Sequence, residues 1–291
     1  MRIKNRYSVD ATKELIALLD QNSIRYEVST LSSPAVLHFY LYDDDSRKTE
    51  IEQHIASWNM LIPEVTFSKT EYEEAQWFRF MPKYDRIPSC ESELVYSYFC
   101  QKPNGTIDYD SHHLRQIGTY RLRHRPRWPS PQCILSSEGN HDHEWFTNDT
   151  TRKLFEDADI CGLRFAPVIH ERSGQSIADI HQIIFDYDLP EEALVLGKEN
   201  GITSIVSCES CGEKRYYVSP RTYQLCLYGG YLGDHDVYVT RATFGQGYGY
   251  RMVIGSKNFY RFIKEKKMAK YFDVHPIKVI RNGDSPNNLT W

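Results

Sequence analysis

The sequence predicts an α+β fold, with a small ferredoxin-like sandwich followed by a β-rich domain that contains a duplicated β-α-β unit. Three observations favour this class. Helix and strand patterns alternate over about the first 80 residues, short strand patterns dominate afterwards, and one segment recurs. A chain of 291 residues has room for two domains. We place the boundary near residue 82, which gives domains at 1–82 and 83–291.

The first domain is predicted from two helical and four strand patterns. Asp10 is the expected N-cap of a helix over Ala11–Asn22, in which apolar residues recur at helical spacing. A second helix is expected over Arg47–Trp58. Strands are expected, from their β-branched and aromatic content, at Arg2–Tyr7, Tyr26–Thr30, Ala35–Tyr42 and Glu64–Ser68. The resulting order β-α-β-β-α-β is typical of a ferredoxin-like sandwich.

An internal repeat organises the second domain. Thr151–Val168 matches Tyr260–Ile277 with an offset of 109 residues, measured from Pro167 to Pro276. The two copies share the phase of their apolar residues, a glutamate and the proline. Each copy is predicted as a capped amphipathic helix followed by a strand, with another strand before the cap. We interpret this as a duplication, although two unrelated amphipathic segments could also match by coincidence.

The overall composition excludes several classes of protein. The formal net charge of −4 argues against a general binder of phosphate backbones. No apolar run approaches the 18 or so residues of a membrane span. The start of the chain lacks the pattern of an export signal, so we expect the seven cysteines to be reduced in a cytoplasm. Aromatic residues make up 13% of the chain and fit either a β core or an interaction surface.

The motif Cys208-Glu-Ser-Cys211-Gly212 is the strongest chemical signal. A CxxC turn directs two thiolates at one tetrahedral metal ion, and the glycine permits the tight backbone. It supplies half of a structural zinc site. The candidates for the other ligands are Cys100, Cys226, His235 and the pair His141 and His143. A redox-active pair is less favoured, because the motif reads as the turn of a hairpin, and two free thiols are the remaining alternative.

Histidine clusters suggest an enzyme only weakly. His112 and His113, and the run His141-Asp142-His143-Glu144, lie in polar segments and could act as ligands or acid–base groups. No nucleophile with a base and an orienting group accompanies them. The glycines of 245–249 resemble a phosphate loop but lack its lysine and its following serine or threonine, so an aromatic turn between strands is expected.

Charged segments offer surfaces for partners. Alternation would place Arg121, Arg123, Arg125 and Arg127 on one strand face, where they could contact nucleic acid, dock an acidic protein or simply be solvated. The acidic segments Tyr42–Asp45 and Phe185–Glu192 could face a basic partner in the same way.

The second domain resembles the double-CXXCG motif proteins. The likeness covers roughly residues 83–280 and rests on the runs QIGTYRLRHRPRW, FTNDTTRKLFEDADICGLRFAPV, IADIHQIIFDYDLP, CESCG, GDHDVYVTRATFG and SKNFYRFIKEKKMAKYFDVHPI. That family includes immunity proteins of bacterial contact-dependent toxin systems. The resemblance implies a cytoplasmic protein that binds and neutralises a cognate toxin. Residues 1–80 lie outside it and could set the choice of partner.

The chain departs from the family's pattern at the first CXXCG motif. This motif should fall at Cys100, where Pro103 replaces the second thiol. The resemblance therefore implies a metal site with at most three cysteine ligands, Cys100, Cys208 and Cys211, which a histidine could complete. One structural zinc is the cofactor that it implies.

The leading hypothesis is a non-enzymatic immunity protein that occludes a toxin. We expect aromatic anchors at Tyr248 and Tyr250, flanked by Asp234 and Asp236. A nucleic-acid-binding module with a degenerate zinc knuckle is the second hypothesis, and an enzyme that uses His141 and His143 is the third.

Overall fold

A computed structural model shows a mixed α+β protein, as the sequence predicts, with two compact units. The first unit ends at Glu73 and the second begins at Glu74. The structure describes residues 2–30, 34–55, 58–83, 85–87, 95–107, 114–137, 144–196, 202–218, 225–245 and 250–280.

The first unit is a four-stranded antiparallel sheet with helices. Its elements are β1 (Arg2–Asp10), α1 (Lys13–Gln21), β2 (Tyr26–Ser29), β3 (Val36–Tyr42), α2 (Lys48–Gln53), β4 (Trp58–Thr66) and α3 (Lys69–Glu74). The strand order is β2-β3-β1-β4, with antiparallel neighbours throughout. Alternate residues of β1 and β3 pack against α1 and α2, and Tyr7 stacks on Phe39 with ring centroids 4.8 Å apart. This face holds the unit's hydrophobic core.

Two helix boundaries in the first unit differ from the prediction. Thr12, and not Asp10, caps α1, because its hydroxyl accepts a hydrogen bond from the Leu15 amide at 3.2 Å while Asp10 still pairs within β1. The second helix ends at Gln53, so Trp58 begins β4 instead of closing the helix.

The second unit contains most of the strands. Its elements are β5 (Trp77–Pro82), β6 (Asp85–Ile87), β7 (Tyr96–Tyr98), β8 (Leu114–Gln116), β9 (Arg121–Leu122), β10 (Ile134–Ser137), β11 (Trp145–Thr147), α4 (Asp149–Asp157), β12 (Leu163–His170), β13 (Ser176–Phe185), β14 (Asp188–Leu189), β15 (Ile202–Ser207), β16 (Lys214–Val218), β17 (Cys226–Tyr228), β18 (Val237–Thr240), β19 (Thr243–Phe244), β20 (Val253–Ser256), α5 (Lys257–Glu265) and β21 (Phe272–Ile280).

Two six-stranded sheets of the second unit have the same plan. Sheet I has the order β6-β10-β11-β13-β12-β9, and sheet II has the order β14-β18-β20-β5-β21-β17. In both sheets the two edge pairs are parallel and the three inner pairs are antiparallel. The strands match in chain order except for the fourth. The fourth strand of sheet I, β13, is the last of its six strands along the chain, whereas the fourth strand of sheet II, β5, is the first of its six.

The two helices occupy equivalent places in these sheets. Helix α4 connects β11 to β12, and helix α5 connects β20 to β21. Asn148 caps α4 and Ser256 caps α5, each by accepting a hydrogen bond from the amide three residues later. The helices meet through Phe155, whose ring centroid lies 4.9 Å from that of Phe262.

The division between the units precedes the predicted boundary. Strand β5 (Trp77–Pro82), which the sequence analysis assigned to the first domain, pairs with β20 and β21 in sheet II. Its partners lie near the other end of the chain. The boundary therefore falls at residues 73 and 74, before β5, and not near residue 82.

Candidate functional site

Three cysteine side chains from two hairpins lie together in the second unit. Cys100 lies in the connection between β7 and β8, and Cys208 and Cys211 lie in the turn between β15 and β16. Their sulfur atoms are all within 4.8 Å of one another, and Cys100 Sγ is 3.6 Å from Cys208 Sγ. Sulfur ligands at about 2.3 Å from a tetrahedral zinc ion are separated by about 3.8 Å. The cluster predicted from the sequence is therefore present with a spacing that fits a metal ion.

The turn that carries Cys208 and Cys211 is closed tightly. The Gly212 amide donates to the Cys208 carbonyl at 2.9 Å, and the Cys208 amide donates to the Glu213 carbonyl at 2.9 Å. Gly212 has φ of 73°, a left-handed conformation that glycine adopts without strain. The glycine of the CxxCG motif is therefore explained by the backbone that brings the two thiols to one side.

The thiols differ in acidity. Burial raises the pKa of Cys100, and the neighbouring sulfurs of Cys208 and Cys211 raise it further. Burial alone would also raise the pKa of Cys208, but the amides of Cys211 and Ser210 donate to its sulfur, and its pKa falls below the usual value. Backbone N–H groups that point at a sulfur favour the thiolate, which is the form that binds metal ions.

Two of the predicted additional ligands lie elsewhere. Cys226 lies in β17, an edge strand of sheet II. Its side chain is buried in an apolar cluster with Val195 and Ile280. The His235 ring stacks on Tyr187 with centroids 3.5 Å apart. Within the described part of the chain, only three side chains form the metal-binding group. His141 and His143, like His112 and His113, lie outside the described residues.

The basic row expected at 121–127 does not form a single strand face. Strand β9 contains only Arg121 and Leu122. Arg123 pairs with Glu171 at 2.6 Å, and Arg125 pairs with Asp179 at 2.6 Å. These arginines are used in ion pairs that attach the segment to neighbouring elements.

The residues expected to contact a partner are divided between surface and structural positions. Tyr248 lies outside the described residues. Tyr250 is half-buried against Gly245, where a Cβ atom would lie 2.6 Å from the Tyr250 ring. Asp236 accepts hydrogen bonds from the Ser256 hydroxyl at 2.6 Å and from the Cys161 amide at 3.2 Å. Asp234 is exposed. Tyr250 and Asp236 thus have contacts that hold the fold, and their role toward a partner stays a prediction.

Sequence reasoning missed two exposed tyrosines. The side chains of Tyr187 and Tyr231 are 41% and 47% exposed. Tyr187 follows β13 and stacks on His235, which lies in the same loop as Tyr231. Tyr187 falls within the acidic run 185–192 that the sequence analysis noted for its charge, but exposure of one tyrosine among many has no sequence signature.

The acidic run itself is largely paired. Asp186 accepts from Arg164 at 2.8 Å, Asp188 pairs with Arg251, and Glu191 pairs with Lys214 at 2.9 Å. Burial opposes ionisation of Glu191, but hydrogen bonds from Tyr216 and Lys214 hold its pKa below the usual value. The run therefore offers a basic partner less free charge than its composition suggests.

Comparisons with known proteins add no relative. No family model, no curated protein and no solved structure matches the chain. None of the described helices is long and apolar enough to cross a membrane.

Proposed function

We propose that this protein is a non-enzymatic interaction protein, a bacterial immunity protein that binds a cognate toxin and occludes its active site. The proposal starts from the resemblance of residues 83–280 to the double-CXXCG motif proteins. It places the protein in the cytoplasm, where thiols stay reduced and can hold a metal ion.

The meeting of Cys100 with Cys208 and Cys211 carries this proposal. Cys100 and Cys208 are 108 residues apart in the chain. The resemblance requires the two motifs that contain them to converge on one site. We call sheet I with α4 and sheet II with α5 the two halves of the second unit. In each half, the hairpin with the motif lies in the chain between the two edge strands of the sheet, β7–β8 between β6 and β9 and β15–β16 between β14 and β17. This supports two finer proposals: the second unit is an internal duplication, and the order β2-β3-β1-β4 makes the first unit a ferredoxin-like sandwich.

A structural zinc ion is part of the proposal. The chemistry of three thiols with a short sulfur–sulfur distance and a sulfur that accepts backbone N–H groups fits zinc. Cys100, Cys208 and Cys211 would hold it, and the bound ion would tie the hairpin of one half to the hairpin of the other. Zinc binding would then contribute to the free energy of folding.

The aromatic loop around Tyr187 and Tyr231 is the surface we assign to the toxin. Exposed tyrosine rings bury large areas at little cost in side-chain entropy and are enriched among residues that dominate binding energy. Asp234 lies in the same loop and is exposed. A rim carboxylate of this kind would speed capture of a basic toxin.

The partner is tested by recovering the tagged chain from its native host and identifying what it retains by mass spectrometry. We expect one polypeptide at about equal stoichiometry that is toxic when expressed alone and harmless with this chain. Recovery of nucleic acid in place of a polypeptide would reject the immunity proposal and favour the nucleic-acid hypothesis.

The docking surface is tested with matched variants. Tyr187→Ala and Tyr231→Ala should each weaken binding to the recovered toxin by at least tenfold, the effect of losing about 1.4 kcal/mol. Ile205→Ala, at an equally exposed apolar residue of β15, serves as the control and should leave the affinity unchanged. Loss of affinity in Tyr250→Ala with none in the other two would move the surface to the site first expected from the sequence.

The metal is tested by elemental analysis of the purified chain. We expect about one zinc ion per chain, and Cys211→Ser should lower this content strongly. Cys161→Ser removes an exposed thiol that is not in the cluster and should leave the content unchanged. A metal-free wild-type chain that also fails to take up zinc in solution would reject the zinc site without touching the proposed toxin surface.

A further inference from the structure

A large polar cavity lies in the second unit. Its volume is about 950 Å³, at the upper end of the range of about 300–1,000 Å³ that small-molecule sites occupy. Its wall combines β12 and β13 of sheet I with β14 and β18 of sheet II and with residues of the two hairpins that carry the cysteine cluster. Nothing in the proposed toxin recognition uses this cavity.

The wall is polar, partly buried and ordered by hydrogen bonds. The amides of exposed Gln116 and buried Gln182 donate to each other at 2.9 and 2.7 Å. The Tyr96 hydroxyl donates to the Glu144 carboxylate at 2.6 Å. Gln182 is 2% exposed and Glu144 is 4% exposed. Polar groups fixed in this way in a concave wall are typical of binding sites, where they set the orientation of a ligand.

Four arginines from four different segments also line the cavity. Three of them have carboxylate partners: Arg115 pairs with Glu213 at 2.8 Å, Arg164 with Asp186 at 2.8 Å, and Arg251 with Asp188. Arg251 is held further by the Thr240 carbonyl, to which its Nε donates at 2.5 Å. These ion pairs fix the guanidinium groups and spare them the entropy of ordering when a ligand arrives.

Arg241 differs from the other three. Its amide donates to the Leu189 carbonyl at 2.8 Å, which fixes the backbone at the cavity wall. Its exposed guanidinium makes no ion pair with any residue in the described ranges. Among the described residues, no carboxylate neutralises this positive charge at the cavity wall.

We propose that this cavity binds a small organic dianion, and that Arg241 contacts its phosphate or carboxylate group while the glutamine pair and Glu144 contact its polar remainder. A guanidinium fork matches either oxyanion with two parallel hydrogen bonds. The volume admits a molecule as large as a nucleotide. The proposal is independent of the immunity function.

Calorimetric titration of the full chain tests this proposal, with adenosine monophosphate as the phosphate probe and succinate as the carboxylate probe. Sodium chloride keeps the ionic strength constant across the titrations, because screening changes the attraction between charges. At least one probe should bind with Kd below about 1 mM, and the arm that binds identifies the oxyanion. If neither probe binds at about 10 mM, ten times the expected upper limit of the Kd, the proposal is overturned.

Matched substitutions distinguish the cavity from general charge attraction. Arg241→Met should weaken binding by about tenfold or more, the loss expected for one charge-assisted pair, and Arg241→Lys should retain part of the affinity. Arg261→Met, at an equally exposed arginine on α5, is the control and should bind like the wild type. Equal weakening in Arg241→Met and Arg261→Met would show unspecific attraction and reject the site. Unchanged melting temperatures verify that both variants are folded.

Discussion

The two halves of the second unit, sheet I with α4 and sheet II with α5, have the same strand arrangement but differ in their charged side chains. Helix α4 carries three acidic and two basic residues, whereas α5 carries three basic residues and one acidic residue. Both helices nevertheless cap the same way and bury phenylalanines against each other. The buried phenylalanines of the two helices are thus constrained by packing, whereas the charged residues on their exposed faces differ.

The two hairpins that carry the cysteine cluster also differ in their residues. One half retains two thiols, Cys208 and Cys211, and the other retains Cys100 with Pro103 at the equivalent spacing. The turns are also closed differently, because Lys102 bonds with Thr106 whereas Cys208 bonds with Glu213. The three sulfurs therefore lie together although Pro103 stands where a fourth thiol would complete a second CxxC spacing.

The largest expected loss of stability comes from substitution of Gly162, which aligns with Tyr271 in the repeat predicted from the sequence. Gly162 has φ of 101°, and a Cβ atom there would lie 2.4 Å from the Val237 carbonyl oxygen of sheet II. Gly162→Ala should destabilise the protein by about 3 kcal/mol or more, because the clash and the backbone strain add. Urea unfolding measures the loss. Gly174→Ala, at a left-handed position with open space around it, is the control and should cost clearly less.

The second prediction concerns the pH dependence of folding stability and depends on His275 in β21 of sheet II. Burial, with a smaller contribution from nearby Arg79, lowers the pKa of His275 to about 4, and Asp273 partly opposes this shift. An unfolded histidine has a pKa near 6.5. Between about pH 6.5 and 4 the unfolded chain therefore binds a proton that the folded chain does not, and stability falls as the pH falls through this window.

Because His275 is partly exposed, we expect the loss to be about 1–2 kcal/mol. Urea unfolding at pH 7 and pH 5 measures it. His275→Gln should unfold with a smaller difference between the two pH values, and an equal difference would assign the pH dependence to other groups. Ala166 aligns with His275 in the predicted repeat, so this position in the first segment carries no titratable side chain.

Restoring the missing thiol would sharpen the comparison of the hairpins. Pro103→Cys recreates the CxxC spacing after Cys100 and should raise zinc affinity by about tenfold, or 1.4 kcal/mol. Competition with a chelator measures the affinity. Lys102→Cys adds a thiol at the wrong spacing and should not change it. Unchanged affinity in Pro103→Cys would mean that the different closure of the first turn keeps position 103 away from the cluster.

The smallest expected difference concerns the two helix caps. Asn148→Ala and Ser256→Ala each remove an acceptor for a helix amide, which costs about 1 kcal/mol. Asn148 is also buried and donates to the Pro131 carbonyl at 2.9 Å, so its replacement should cost about 0.5 kcal/mol more. Thermal unfolding of the two variants measures the difference. A larger loss in Ser256→Ala would show that its bond to Asp236 matters more.

Local patterns in the sequence were enough to predict parts of the fold and of the site. Periodicity located α1, and the CxxCG motif indicated a metal site for which Cys100 was one of several candidate ligands. Both signals are short-range or carried by residue type. The helix start at Thr12 shows the limit, because Asp10 and Thr12 are equally good caps and the extension of β1 decides between them.

Long-range pairing could not be predicted in the same way. Nothing in the composition of β5 (Trp77–Pro82) indicates that its neighbours are β20 and β21, because a strand shows which of its faces is apolar and not which strand it pairs with. The arginines at 123 and 125 were expected on one strand face, but their carboxylate partners come from distant segments. The cavity around Arg241 likewise exists only after several segments assemble.

The position of β5 in sheet II has a consequence for synthesis. The ribosome produces β5 early, yet both of its neighbours in sheet II belong to the last part of the chain, β20 and β21. The central strands of sheet II therefore cannot pair until translation has almost finished. Until then, both edges of β5 lack their strand partners. Sheet I, whose six strands all lie between β6 and β13, can complete first and serve as a template during that wait.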